Sequence, residues 1–121
     1  MKVLIIDDDD AISTVFATAL KKEGYEAVHS PSGADGLEKA KSEHPDLILL
    51  DQILPDMQGN QILKQLKSEE GTKNIPVIIL SNFSQEELVR EAINAGATDY
   101  VFKFQVDTKD VVEKVKQVLT K

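Results

Sequence analysis

Apolar and β-branched residues along the chain fall into five short runs, separated by five stretches in which apolar positions recur at three- and four-residue spacing. The first run, Lys2 to Ile6, is almost wholly apolar, as a strand buried on both faces must be. Ile12, Val15, Phe16, Ala19 and Leu20 then share one helical face. Gly24 stands where a helix end needs a left-handed residue. Tyr25 to His29 reads as a second strand, and Ser32 opens a second helix, with Asp35 in the place of the usual capping-box Glu. Asp46 to Leu50 is a third strand, Pro55, Asp56 and Gly59 mark a loop, and Ile62, Leu63 and Leu66 form the apolar face of a third helix. Pro76 to Leu80 is a fourth strand. Ser84 and Glu87 make a full capping box for a fourth helix that ends at Gly96. Asp99 to Phe102 is a short fifth strand, and Asp107 caps a last helix carrying Val111, Val112, Val115, Val118 and Leu119.

Strands that alternate with helices imply right-handed crossovers and a parallel sheet covered on both faces. Five such units in 121 residues suit an α/β fold: a doubly wound, five-stranded parallel sheet of flavodoxin-like order 2-1-3-4-5. No repeat, low-complexity stretch or Pro/Gly-rich linker divides residues 1–121, so one domain is expected.

Composition narrows the function classes. There is no cysteine, which excludes disulfides and thiolate chemistry. A net charge of −7 argues against direct nucleic-acid binding, which needs a basic surface. No apolar run approaches the roughly 20 residues of a membrane span. A cytoplasmic location is the default expectation.

In a doubly wound sheet the active groups gather at the carboxyl ends of the strands. Those ends carry Asp7-Asp8-Asp9-Asp10, Asp51, Ser81-Asn82 and Lys103. Several carboxylates in one crevice repel each other and need a cation, and oxygen ligands without His or Cys favour Mg²⁺, or Mn²⁺, over zinc. A hydroxyl and an ammonium opposite the metal complement an anion with three oxygens. That is a layout for phosphoryl transfer, with Asp51 the natural nucleophile. Each residue also has a plainer reading. Asp9 and Asp10 fit the positive end of a helix dipole, Asp51 could open a loop, serines often end strands, and lysines usually sit in solvent. The conjunction at four strand ends is what points to chemistry. His29 and His44 lie outside it and read as surface or edge residues.

The ordered segments Val3 to Asp8, Pro45 to Asp51, Leu54 to Gly59, Ile75 to Ser81 and Gly96 to Lys103 resemble those of bacterial response-regulator receiver domains, over essentially the whole chain. The resemblance implies that Asp51 is the phosphorylation site. Asp8 would bind Mg²⁺ directly, Asp7 would help through water, and the backbone carbonyl of Ile53 would complete the protein's share of the shell. Ser81 and Lys103 would hold the phosphoryl group, and Tyr100 would be an aromatic switch that moves inward when Ser81 is drawn to it. The donor would be a histidine kinase or phosphotransfer protein. A downstream protein partner would read the fourth helix, fifth strand and fifth helix, and the chain would be a monomer or a phosphorylation-dependent dimer, either a stand-alone receiver or a piece of a longer protein. Such a chain would catalyse only its own phosphorylation and dephosphorylation.

Two positions depart from the family pattern. Phe104 replaces the usual proline after the lysine, so a trans Lys103–Phe104 bond is expected, and Phe104 either meets a partner or packs on the last helix. Asn82 follows Ser81 where a small residue is commoner. Ile53 and Phe83, two residues beyond Asp51 and Ser81, are apolar and would shield the phosphoryl group from water, which predicts a long-lived phosphorylated form. Three other readings compete. A haloacid-dehalogenase-like phosphatase could use Asp7 and Asp9 but leaves Asp51 without a task. A receiver-like module that is never phosphorylated would keep the fold alone. A flavodoxin would need a phosphate loop where four aspartates stand.

Overall fold

A computed structural model describes residues 1–81, 86–103 and 107–120. The elements run β1 (Lys2–Ile6), α1 (Asp10–Lys22), β2 (Glu26–Ser30), α2 (Gly33–Glu43), β3 (Leu47–Asp51), α3 (Gly59–Ser68), β4 (Val77–Ser81), α4 (Glu86–Asn94), β5 (Asp99–Phe102) and α5 (Thr108–Leu119). The five strands pair in parallel in the order β2-β1-β3-β4-β5.

Strand alternation divides the core in two. Val3 and Ile5, Leu47 and Leu49, Ile78 and Leu80, and Val101 pack with Phe16 and Leu20 of α1 and with Val111, Val112 and Val115 of α5. The intervening residues Leu4 and Ile6, Ile48 and Leu50, and Val77 and Ile79 pack with Ile62, Leu63 and Leu66 of α3 and Ala92 of α4. The central strands can therefore be apolar at nearly every position, which is what the sequence runs reflect.

Three strands are displaced by one residue from their sequence reading. Tyr25 belongs to the end of α1: its N–H donates to the Leu20 carbonyl and that of Gly24 to the Lys21 carbonyl. This is a Schellman closure, with Gly24 at φ +90. β3 and β4 run on through Asp51 and Ser81, because Asp51 pairs with Leu80 and Ser81 with Phe102. Val15, placed on the inner face of α1 by periodicity, is 52% exposed. The fully buried residues of α1 are Ser13, Phe16 and Leu20, with Ile12, Ala17 and Ala19 packed against the core beside them. Asp35 does not close a capping box. Its N–H donates to Ser32 Oγ, but its carboxylate accepts from Ser30 Oγ at 2.7 Å and meets Lys39 Nζ at 3.1 Å. The Ser84 cap, the Lys103–Phe104 bond and the placement of Asn82, Phe83 and Phe104 lie outside the described residues.

Candidate functional site

Continuing the alternation past the strand ends puts Asp7 on the face of Val3 and Ile5, Asp51 on that of Leu47 and Leu49, and Lys103 on that of Val101. These groups meet. One carboxylate oxygen from each of Asp7, Asp8 and Asp51 lies within 4.8 Å of the others. Lys103 Nζ bridges Asp7 Oδ2 at 2.8 Å and Asp51 Oδ1 at 3.3 Å, with the three side chains only 10%, 3% and 12% exposed. Asp8 is exposed at the mouth. Asp9 caps α1, its Oδ1 accepting from the Ile12 N–H, and Asp10 is the exposed first residue of that helix.

Burial pushes the Asp51 carboxyl up to about 6; Lys103 pulls it down, while Asp7 and Asp8 add to the rise. Burial also acts to lower the pKa of the Lys103 ammonium. The hydrogen bond to Asp7 and the charges of Asp51 and Asp7 outweigh that effect and hold it above its ordinary value. Among the described residues the site thus sets one cation, Lys103, against three acids. Clustered carboxylate oxygens, with no nitrogen or sulfur donor among them, suit a hard divalent cation such as Mg²⁺, and a second cation would relieve the repulsion that Lys103 only partly offsets.

The loop after β3 is a small hairpin. Ile53 bridges Gln58, the Leu54 N–H donates to the Met57 carbonyl at 3.2 Å, and that of Gly59 to the Gln52 carbonyl at 2.6 Å. Only glycine fits at position 59, where a Cβ would stand 2.6 Å from the Asp51 carbonyl oxygen. Asp56 fastens the tip to α2, its two carboxylate oxygens accepting from the N–H groups of Gly33 (2.8 Å) and Ala34 (3.0 Å). Those bonds lower its pKa, that from Ala34 most. Ile53 is left 42% exposed.

Ser81 is fully buried at the end of β4, and its carbonyl accepts from the Lys103 N–H at 2.8 Å. Tyr100 lies one strand away on the α3/α4 face. Its ring meets Phe102 edge-on at 5.6 Å, and its hydroxyl accepts from Gln52 Nε2 at 3.3 Å. His29 is closer to the site than its sequence reading allowed, with Nε2 2.8 Å from the Asp7 carbonyl oxygen. Asp56, Gln52 and Asn60 were not singled out from the sequence for any role in the site. The available signal was two amide side chains, directly after Asp51 and Gly59, in segments otherwise rich in core residues. A cleft of about 350 Å³ beside Lys103 is lined by Ala11, Ile12, the exposed Val15, Phe16, Asp107 and Thr108.

A parallel 2-1-3-4-5 sheet with acids and a lysine at its carboxyl edge defines a class, and comparison with known proteins agrees. The response regulator receiver domain model matches residues 3–116, and the chain belongs to that family. It is 37% identical over 121 residues to the chemotaxis protein CheY of Treponema pallidum, covering 98% of this chain and 82% of that one. To the DNA-binding dual master transcriptional regulator RpaA of Synechocystis it is 34% identical over 118 residues, covering 98% of this chain but only 48% of the relative. The chain thus spans about half the length of that protein. A CheY-like receiver domain protein from Methanospirillum hungatei superposes with a TM-score of 0.92 at 33% identity, covering 98% and 93% of the two chains.

Receivers are modules of two-component signalling that accept a phosphoryl group; they are not enzymes in the usual sense, and they generally bind Mg²⁺ through acidic residues. They work with histidine kinases or phosphotransfer proteins and with downstream targets. The phosphatase-like and unphosphorylated-module readings are not favoured. Among the described residues no helix is long and apolar enough to cross a membrane.

Proposed function

We propose that Asp51 is the phosphoacceptor, that Asp7, Asp8, Asp51 and the Ile53 carbonyl hold Mg²⁺ (or Mn²⁺), and that Ser81 and Lys103 bind the phosphoryl oxygens. The observation that carries this reading is Lys103 Nζ held between Asp7 and Asp51 inside a three-acid cluster. An Asp51 oxygen attacks phosphorus. The bond from phosphorus to the donor's imidazole nitrogen breaks, and that nitrogen keeps the electron pair and takes up a proton. Lys103 neutralises charge on the equatorial oxygens as it exchanges its carboxylate contacts for phosphoryl ones. The metal, when bound, supplies the remaining positive charge. Ser81 turns to the phosphoryl group, and that movement fixes Tyr100 in the inner position. The change reaches a downstream partner through α4, β5 and α5. The cleft beside Lys103, with Ile12 and Val15 on its wall, offers apolar footing to the protein donor.

The test is incubation with acetyl phosphate and Mg²⁺ followed by intact mass. Wild type gains one phosphoryl group, and the gain disappears with chelator and in Asp51→Asn. A gain that persists in Asp51→Asn at equal stoichiometry would reject the assignment.

A further inference from the structure

One residue beyond Asp51 the alternation turns the chain to the opposite face of the sheet. Gln52 therefore points away from the acid crevice toward α3, and it is fully buried, as is Asn60 in the first turn of α3. The orientation of the Gln52 amide is fixed by a donor that cannot reverse. The Asn60 backbone N–H donates to Gln52 Oε1 at 3.0 Å, so Nε2 must be the atom that faces Asn60 Oδ1 at 3.1 Å and the Tyr100 hydroxyl at 3.3 Å. Asn60 Oδ1 accepts that bond, which leaves its Nδ2 to donate to the Leu88 carbonyl of α4 at 3.2 Å. Two buried amides thus join four parts of the molecule: the residue next to the phosphoacceptor, the start of α3, the backbone of α4 and the hydroxyl of Tyr100. Both lie fully buried on the face of the sheet whose core holds Leu50, Ile62, Leu63, Ile79 and Ala92. A buried amide left without a partner is heavily penalised, so removing either of Gln52 and Asn60 strands polar groups of the other.

We propose that Gln52 and Asn60 act as a latch that holds Tyr100 and α4 in their inner arrangement before any phosphoryl group arrives. The latch makes them positioning residues for the switch and sets how far the resting protein already populates the responsive state. The inference rests on the receiver reading above, since it is there that the inner position of Tyr100 gains its meaning. A receiver latched this way binds a phosphoryl mimic with little rearrangement, because less of its binding free energy goes into moving α4 and Tyr100.

The chain has two tyrosines, Tyr25 and Tyr100, so fluorotyrosine labelling with a Tyr25→Phe control assigns the Tyr100 resonance by fluorine NMR. That signal, amide hydrogen exchange across α4, and the affinity for beryllofluoride with Mg²⁺ are compared in wild type and in Gln52→Met with Asn60→Leu. In wild type the Tyr100 resonance lies close to its beryllofluoride-bound position before the mimic is added. In the double variant it moves toward that of an exposed ring, α4 amides exchange faster, and beryllofluoride affinity falls roughly 5-fold, the worth of about one net hydrogen bond. A double variant with the wild-type resonance and wild-type α4 exchange overturns the latch. Should that variant not fold, Tyr100→Phe decides: it removes the hydroxyl that meets Gln52, and beryllofluoride affinity within about twofold of wild type, against the roughly 5-fold loss expected, overturns the proposal. A wild type that binds no beryllofluoride sinks the receiver reading instead, and the exchange of α4 in the unliganded variants still decides whether the amides hold that helix.

Discussion

Asp51 is a carboxylate kept in a place that resists its ionisation. Its pKa lies near 6 instead of 3.8, first because it is buried and then because Asp7 and Asp8 are close, with Lys103 opposing. A raised carboxyl favours the folded state while it is protonated. The contribution is complete below about pH 3.8 and is lost as pH rises through about 6. The stability of wild type relative to Asp51→Asn should therefore fall between pH 4 and pH 7, by on the order of 2–3 kcal/mol at 1.36 kcal/mol per unit. Urea unfolding of both proteins at a series of pH values measures it, and a difference that stays flat across the window would contradict the burial argument. Ile53 makes a second case at this scale. Its side chain, two residues beyond Asp51 and 42% exposed, is apolar and cannot orient a water for attack on an aspartyl phosphate. Ile53→Asn should speed phosphate loss severalfold, followed by the decay of the phosphorylated mass. An unchanged rate would mean that water access at this position does not set the lifetime.

Among the elements, the loop between β3 and α3 matters most, because it carries Ile53 past the acids and is tied down at its tip. Asp56 supplies the two acceptors that the first N–H groups of α2 need, while Ser32 takes the third from Asp35. The end of one helix thus anchors a loop from elsewhere in the chain. Since these bonds depress the Asp56 pKa, their contribution is present above the ordinary carboxylate value and is lost as pH falls through the depressed one. Asp56→Ala should melt below wild type at pH 7, and the gap should close in acid below pH 4. Hydrogen exchange should localise the loosening to residues 53–58 and the start of α2. A gap that widens in acid would show that Asp56 acts by some other route.

The elements themselves were legible because burial on both faces leaves strands as unbroken apolar runs and because Gly24 and Gly96, both at positive φ, punctuate helix ends. Strand limits slipped where Asp51 and Ser81 continue the ladder, since an acid or a serine after an apolar run reads as the start of a loop. The network of Gln52 and Asn60 could not be read at all. A lone amide looks like a surface residue until its partners, up to 48 positions away, are known.

Across the whole molecule, 21 acidic against 14 basic side chains leave the acid crevice short of positive charge, and a bound divalent cation should stabilise the fold by mass action. At a Mg²⁺ concentration about a hundredfold above Kd the gain is about 2.7 kcal/mol, visible as a rise in Tm. Asp8→Ala should abolish that rise and, with one acid fewer, should itself melt no lower than wild type without metal. A wild type indifferent to saturating Mg²⁺ would count against the cluster as a metal centre. The charged residues of this site were traceable in the sequence because each ends a strand, and the strand order brings those ends together.

That same order has a consequence for how the protein is made. Asp7 and the ammonium that meets it are 96 positions apart, and β5, which leads into Lys103, is the last strand to be synthesised. A growing polypeptide on the ribosome carries Asp7, Asp8 and Asp51 long before Lys103 emerges. Abandoned or clipped fragments carry them without it as well. Until that last strand is in place, Asp7, Asp8 and Asp51 repel one another with no ammonium between them, so the crevice takes its final form only when the C-terminal part of the sheet docks.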